Sequence, residues 1–190
     1  MKKLFLSALT ACGILSAQAA QFQYVVTLNG PNEPTPSLGI GAGTVNYDDV
    51  AHTLELQVSF SGLTGTTTAS HIHAPTTSPF SGTAGVATTT PSFAGFPLGV
   101  TSGSFSNTLD LTLASSFNPS YVTANGGTPA SAESAFAAAL AGGQAYWNIH
   151  SSSFGGGEIR GFLVPVPEPS ALALFGLGAG AIAWRLRRKV

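Results

Sequence analysis

Strict alternation of apolar and polar residues is the feature of this sequence that most restricts its fold. The alternation covers residues 22–28, 54–60 and 109–113. Turn-forming residues follow the first two runs, at Asn29-Gly30 and Ser61-Gly62. Because successive side chains of a β-strand point to opposite faces, each run predicts a strand with one buried face.

Shorter runs of the same kind extend this pattern through the middle of the chain. Further strands are predicted at residues 43–47, 69–73, 85–89, 103–106, 144–150 and 158–164. Many short strands joined by Gly-, Pro-, Ser- and Thr-rich connections are typical of an antiparallel β-sandwich with Greek-key links. The sequence therefore predicts an all-β fold.

One helix is predicted to interrupt the strands. Thr128 is a good N-cap, and Pro129 suits the first helical position. An alanine-rich run then continues to residue 141, where two glycines end it. Phe136 and Leu140 are four residues apart on one face, which we expect to pack on the sheet.

The charged residues and the single cysteine limit the functions open to this chain. Residues 20–164, predicted to form one domain, carry one basic residue against seven acids, a net charge of −6 with histidine neutral. An acidic domain with no basic patch cannot neutralise phosphates, which excludes nucleic acid as a partner. The only cysteine, Cys12, precedes the domain, so we expect no disulfide in it.

Residues 1–19 have the layout of a secretory signal peptide. Lys2 and Lys3 follow the first methionine. Residues 4–15 are mostly apolar, but this run is too short to span a bilayer. Ala17-Gln18-Ala19 is a typical cleavage site. We therefore expect export through the Sec pathway, with cleavage just after this site. An alternative stays open, because residues 9–12 resemble a lipobox that would leave a lipidated Cys12.

Residues 165–190 form a segment with three parts. They are a Val-Pro-Glu-Pro-Ser motif at 166–170 that contains Pro167, Glu168 and Pro169, an apolar run at 170–184, and a basic cluster at 185–189. The apolar run has about 15 residues, fewer than the roughly 20 that cross a bilayer comfortably. We expect a short hydrophobic helix that holds the protein at the inner membrane transiently, with its basic end on the cytoplasmic side. An ordinary single-span tail anchor is the alternative.

This three-part tail resembles the PEP-CTERM sorting signal of Gram-negative bacteria that make extracellular polysaccharide. The resemblance implies recognition by an exosortase at the inner membrane and cleavage near the Pro-Glu-Pro motif. It also implies delivery to the cell surface or the extracellular matrix, where polysaccharide or surface proteins would be the partners.

Three of the four histidines lie in two short motifs within predicted strands. His71 and His73 are two residues apart and therefore share one face of their strand. Asn148 and His150 share a face of a second strand in the same way. The sequence thus predicts two polar clusters, each on one face of a strand whose other face is apolar.

A seven-residue connection follows the second motif. It leads to Glu158 and Arg160, which a hairpin would bring back alongside that motif. Taken together, residues 69–75, 148–150 and 156–161 resemble the CHRD domain, which is named from the animal developmental regulator chordin and is widespread in bacteria.

The resemblance to the CHRD domain covers roughly residues 21–163. It implies an immunoglobulin-like β-sandwich with a distant similarity to copper/zinc superoxide dismutases, and a molecular function that is not established for the family. Two positions depart from the expected family pattern. Phe162 stands where a polar residue is expected, and Ser151 stands where threonine is usual.

The histidine motifs have three interpretations. His71, His73 and His150 match the ligand preferences of zinc and copper, since imidazole binds both. Alternatively, the histidines and their polar neighbours satisfy one another in a hydrogen-bonded network. The third interpretation is a site for a ligand or partner. The polar candidates for the network or the ligand site are Asn148, Glu158 and Arg160.

Two functional hypotheses follow from these observations. The first is a non-enzymatic surface or matrix module, and it is favoured because no Ser-His-Asp or Cys-His arrangement is visible in the sequence. The second is a metal-binding domain, with superoxide-dismutase-like redox activity as its extreme form. A dismutase-like copper site would need more than three histidines and a bridging ligand. His52, next to Asp48-Asp49, is expected in a solvated turn.

Overall fold

The computed structural model describes residues 21–167. Within them, eight antiparallel strands form one curled sheet, and the predicted all-β class is confirmed. The strands are β1 (Gln21–Asn29), β2 (Ile40–Asp48), β3 (Thr53–Ser61), β4 (Thr67–His73), β5 (Gly103–Asp110), β6 (Tyr146–Ser151), β7 (Ile159–Phe162) and β8 (Val164–Pro165). A 3-10 turn (Ala114–Ser116) and the helices α1 (Pro119–Ala124) and α2 (Pro129–Ala141) lie between β5 and β6.

The two ends of the chain lie outside this description. The predicted signal peptide at residues 1–19 and the predicted hydrophobic helix at residues 170–184 both fall there. Among residues 21–167, neither helix is long and apolar enough to cross a membrane.

Hydrogen bonds connect the strands in the order β4-β6-β7-β1-β2-β3-β5, and β8 pairs with β1. The strands β1, β2 and β3 are consecutive neighbours, with Tyr24 opposite Val45 and Val45 opposite Leu56. The consecutive strands β6 and β7 also pair, as a hairpin, and the other neighbours along the sheet are not consecutive in the chain. The curl returns the segment before β5 to the start of β4, where Thr67 exchanges backbone hydrogen bonds with Gly99 and Val100.

The predicted alternation determines which side chains fill the core. On β3, Leu54 and Leu56 are fully buried, while Gln57 between the apolar positions is exposed. Trp147 on β6 is also fully buried, and its indole N–H donates to Ser70 Oγ at 2.8 Å. Burying each large apolar side chain stabilises the fold by about 1.5–3 kcal/mol, and the Trp147 indole N–H keeps a hydrogen-bond partner in the core.

Helix α2 begins and packs as the sequence predicts. The Thr128 hydroxyl accepts a hydrogen bond from the Ser131 amide at 3.2 Å, and Pro129 occupies the first turn. Phe136 and Leu140 are both fully buried against the sheet. The low polarity of this face therefore anchors the helix to the core.

Four of the predicted strands differ from the structure: residues 103–106 and 109–110 belong to one strand, β5, residues 159–165 are divided between β7 and β8, and residues 85–89 form no strand. β5 ends at Asp110, because its carboxylate accepts hydrogen bonds from the amide and hydroxyl of Thr112 and turns the chain there. Leu113 is consequently half exposed. Residues 85–89 form only isolated bridges, since the Thr88 hydroxyl takes the Ile72 amide that a strand partner would have bonded.

Helix α1 was not predicted. The Asn118 side chain accepts from the Ser120 amide, and Pro119 occupies the first turn. Both signals were present in the sequence, but the helix is too short to show an apolar period.

Candidate metal centre

Strands β4, β6 and β7 lie side by side and carry the predicted polar residues on one face. The register places His71 opposite Asn148, and Asn148 opposite Arg160. His73 lies two residues along β4 and His150 two residues along β6, so both share that face. Because the alternate positions are core residues, the packing of the core forces these polar side chains together.

The three histidine side chains converge on one point. One ring nitrogen from each of His71, His73 and His150 lies within 4.8 Å of the others. The His71 ring centroid is 4.8 Å from that of His73 and 4.6 Å from that of His150. All three residues are buried. The structure therefore brings together the three histidines that two distant motifs contribute.

A backbone carbonyl from a neighbouring loop holds each ring. The Nδ1 atoms of His71, His73 and His150 lie 3.2, 2.8 and 2.9 Å from the carbonyl oxygens of Pro91, Ala84 and Gly155. A carbonyl can only accept a hydrogen bond, so each Nδ1 carries a proton and donates it. In a neutral ring, the proton on Nδ1 leaves Nε2 with a free lone pair.

The three Nε2 atoms are buried and have no hydrogen-bond partner among residues 21–167. An unpaired buried polar atom costs about 1–3 kcal/mol, so three in one cluster are a substantial cost. A hydrogen-bonded network explains the Nδ1 atoms, but it leaves the Nε2 atoms unexplained. A ligand with affinity for three imidazole lone pairs would remove this cost.

Burial keeps the three rings neutral. Desolvation lowers the pKa of His71 to about 3, and the nearby His150 and His73 add to the effect. Desolvation also lowers the pKa of His73 to about 4 and lowers the pKa of His150. Neutral imidazole is the form that binds metal ions, so the site needs no deprotonation near neutral pH.

Tyr146 closes one side of the histidine cluster. Its ring stacks on the His73 ring, with centroids 4.7 Å apart and an interplanar angle of 4°. Its hydroxyl donates to the Ala84 carbonyl at 3.3 Å, the same oxygen that accepts from His73. Tyr146 therefore positions His73 both directly and through the loop that carries Ala84.

Arg160 lies on the outer side of Tyr146, in contact with a carboxylate that the sequence analysis missed. Its guanidinium carbon is 4.8 Å from the centre of the Tyr146 ring, and its Nε is 3.1 Å from Glu33 Oε2. Arg160 also donates to the Asn32 carbonyl. Glu33 lies between β1 and β2, and only the curl of the sheet brings it here.

Asn148 lies between His71 and Arg160 in the sheet, and its amide contacts the hairpin that joins β6 to β7. The amide donates to the Gly156 carbonyl at 3.5 Å. Gly157 has φ +133, and a Cβ there would collide with the Asn148 amide and the Glu33 carboxyl. The hairpin can therefore pack over the site only with glycine at this position.

Glu158 is separated from the histidines. Its carboxylate accepts hydrogen bonds from Ser37 Oγ at 2.6 Å and from the backbone amides of Thr64 and Gly65. Burial raises the pKa of Glu158, but these hydrogen bonds and one from Ser151 outweigh it and hold the pKa below its usual value. Glu158 joins three loops and is no member of the cluster.

His52, the fourth histidine, is not part of the cluster. Its side chain is half exposed, and its Nδ1 is 2.9 Å from Glu133 Oε2 on α2. Tyr47 donates to the same carboxylate at 3.0 Å. His52 thus has a specific partner as well as contact with solvent.

Three imidazoles with converging lone pairs have the chemistry of a zinc or copper site. Metal–nitrogen bonds of about 2.0–2.1 Å would draw the Nε2 atoms to roughly 3.3–3.6 Å from one another. Among residues 21–167, no further His, Cys, Asp or Glu joins the group. The protein can therefore supply three ligands from rings whose orientation is already fixed.

Comparison with known families agrees with the two sequence resemblances. The family model of the CHRD domain matches residues 24–163. This chain belongs to the CHRD family. No curated protein and no solved structure gives a significant match to it.

The CHRD domain is followed by a second match, the PEP-CTERM protein-sorting motif, at residues 165–189. This motif marks the protein for export and cell-surface sorting, with processing by an exosortase. The His71, His73 and His150 cluster lies wholly inside the CHRD domain and at some distance in sequence from the sorting motif. The sorting motif and the histidine cluster thus lie in separate parts of the chain.

Proposed function

We propose that this protein is a non-enzymatic module of the cell surface or extracellular matrix that binds a zinc or copper ion through His71, His73 and His150. The observation that carries the proposal is the set of three buried Nε2 atoms without partners, on rings that each bring one nitrogen within 4.8 Å of the others. In metalloproteins, a ligating histidine usually donates its other N–H to a carbonyl or carboxylate. All three Nδ1 atoms here donate to carbonyls in that way.

The route to the surface is part of the same proposal. Residues 1–19 would direct export through the Sec pathway, and residues 170–184 would hold the protein transiently at the inner membrane. An exosortase would then release it near Pro167-Glu168-Pro169. The sorting motif supports extracellular polysaccharide or surface proteins as the partners, and the acidic, sparsely charged domain suits a neutral polymer better than a polyanion.

Elemental analysis of the purified full-length chain in mild detergent tests the metal site. We expect one zinc or copper ion per chain in the wild-type protein. A His150→Asn variant should lose the ion, because asparagine can keep a donor to the Gly155 carbonyl but has no atom at the Nε2 position.

A His52→Gln variant is the matched control, since it removes the one histidine outside the cluster. It should retain the ion in full. Metal-free wild-type protein after incubation with zinc and with copper, or equal metal content in the His150→Asn variant, would disprove the metal-binding function.

A further inference from the structure

We propose that the three-histidine site selects copper in its monovalent state over divalent zinc. This inference rests on the metal-binding function proposed above. It names the ion that the cluster of His71, His73 and His150 is built to hold, and it follows from the charge, enclosure and number of the ligands.

The ligand set carries no negative charge. Each of the three histidines donates its Nδ1 proton to a carbonyl and is a neutral ring. No carboxylate or thiolate among the described residues joins the cluster. A bound ion would therefore keep its full charge inside the site.

The surroundings do not supply the missing negative charge. Arg160 is the charged side chain next to the cluster, since its guanidinium carbon is 4.8 Å from the centre of the Tyr146 ring, which stacks on His73. The carboxylate of Glu33 is 3.1 Å from Arg160 and is committed to that ion pair. Glu158, the buried acid just before β7, accepts hydrogen bonds from Ser37 and from two backbone amides.

Because the site is closed to solvent, the charge of the bound ion has a large effect on the free energy of binding. The three Nε2 atoms are closed to solvent, so an ion between them is largely removed from water. The cost of moving an ion into a poorly polarisable medium rises with the square of its charge, so a monovalent ion pays about a quarter of the cost of a divalent one. A neutral, enclosed site consequently disfavours Zn²⁺ and Cu²⁺ relative to Cu⁺.

The number of ligands acts in the same direction. Zinc in proteins is almost always at least four-coordinate, and divalent copper prefers a tetragonal set. Monovalent copper has a filled d shell, imposes no such geometry and is satisfied by three nitrogen ligands. His71, His73 and His150 supply three, and among residues 21–167 no further His, Cys, Asp or Glu joins them.

Competition with chromophoric chelators tests the selectivity. The full-length chain in mild detergent is titrated without oxygen against a Cu⁺–bicinchoninate complex, and separately against a zinc–chelator complex. We expect the dissociation constant for Cu⁺ to be at least about a hundredfold lower than that for Zn²⁺. His52→Gln should behave as the wild type, and His150→Asn should lose the binding of both ions.

A second variant tests the charge argument itself. His150→Glu exchanges a neutral ligand for an anionic one of similar reach, and circular dichroism verifies that the variant folds. We expect the preference for Cu⁺ over Zn²⁺ to shrink at least about tenfold. If the variant does not fold, the dissociation constants of the wild-type chain for Cu⁺ and Zn²⁺ decide whether the site selects Cu⁺.

The outcomes separate this inference from the proposed function. Zinc bound as tightly as Cu⁺, or more tightly, would overturn the selectivity while the metal-binding function stands. Binding of neither ion by the wild-type chain would overturn both.

Discussion

Each histidine of the cluster uses one ring nitrogen for the fold and leaves the other for a ligand. Nδ1 is bonded to a loop carbonyl, while Nε2 is buried and unpaired. The fold therefore selects the tautomer before any ligand arrives. Little further ordering of the side chains is needed on binding, which favours affinity.

Gly157 is the single residue on which the packing of the β6–β7 hairpin over the site depends most clearly. Its backbone has φ +133, and a Cβ would meet the Asn148 amide and the Glu33 carboxyl. We expect Gly157→Ala to destabilise the domain by about 3 kcal/mol, from backbone strain and the collision together. Urea unfolding followed by tryptophan fluorescence measures this effect.

The neighbouring Gly156→Ala variant is the control for this prediction. A Cβ at Gly156 meets no atom within 4 Å, and its φ lies outside the left-handed region. Its free energy of unfolding should lie within about 0.5 kcal/mol of that of the wild type. Equal effects of the two substitutions would show that Gly157 is not under the constraint described.

At the scale of elements, a buried carboxylate fastens helix α2 to the sheet. Glu133 is nearly inaccessible and accepts from the Tyr47 hydroxyl of β2 at 3.0 Å. Its second oxygen lies 2.9 Å from His52 Nδ1 in the β2–β3 turn. One side chain of the helix thus joins β2 and the β2–β3 turn.

This contact predicts a pH-dependent contribution to stability. The hydrogen bond and charge of Glu133 raise the pKa of His52, and Asp49 and Asp110 act in the same direction. Tyr47 also faces the carboxylate but stays protonated, since burial raises its pKa far above neutrality. The contribution of His52 should be fully present below its ordinary pKa of about 6.5 and be lost as the pH rises through the higher folded value.

Comparison of wild type with Glu133→Gln isolates that contribution. The variant should lose more stability at pH 6 than at pH 9, and NMR titration should show a lower pKa for His52. Glu55→Gln, a carboxylate bonded to Asn46 and Gln57 on the sheet surface, is the control. If both variants show the same pH dependence, the contact between Glu133 and His52 makes no specific contribution.

The elements that could be predicted are those with a periodic pattern and local end signals. β1, β3 and α2 have both, because their side-chain periods and caps depend on neighbours in sequence. The end of β5 depends on one Asp110 side chain that turns the chain. The Pro91, Ala84 and Gly155 carbonyls that orient the histidines could not be predicted, because every residue has a carbonyl and only tertiary structure selects these three.

At the scale of the whole molecule, the sorting motif follows the folded domain without a spacer. Val164 on β8 pairs with Val25, and the Val166 amide donates to the Gln23 carbonyl at 2.8 Å. The match to the sorting motif begins at residue 165. The start of the sorting motif therefore lies against strand β1 of the CHRD domain.

Replacement of Pro167, Glu168 and Pro169 by alanine tests the sorting prediction. We expect the variant to stay membrane-bound and unprocessed, because the exosortase would no longer recognise the motif. Cell fractionation with immunoblotting measures the distribution. His150→Asn, altered only in the histidine cluster, should be released like the wild type, whereas normal release of the triple variant would rule out the role assigned to this motif.

Only part of the site could be predicted from the sequence, because some of its contacts depend on the arrangement of the whole sheet. His71, His73 and His150 could be predicted as candidates because strand periodicity places each motif on one face. Their meeting depends on β4 pairing with β6, and the contact between Arg160 and Glu33 depends on the curl of the sheet. Glu158 was grouped with them by sequence proximity, but its carboxylate satisfies loop amides elsewhere.

The most direct test of the central claim is a crystal structure of the protein soaked with copper or zinc, measured at the absorption edge of the metal. We predict one anomalous peak about 2.0–2.1 Å from the Nε2 atoms of His71, His73 and His150, with each Nδ1 still bonded to its carbonyl. No peak at this position, or Nε2 atoms bonded instead to water or protein groups, would contradict the account.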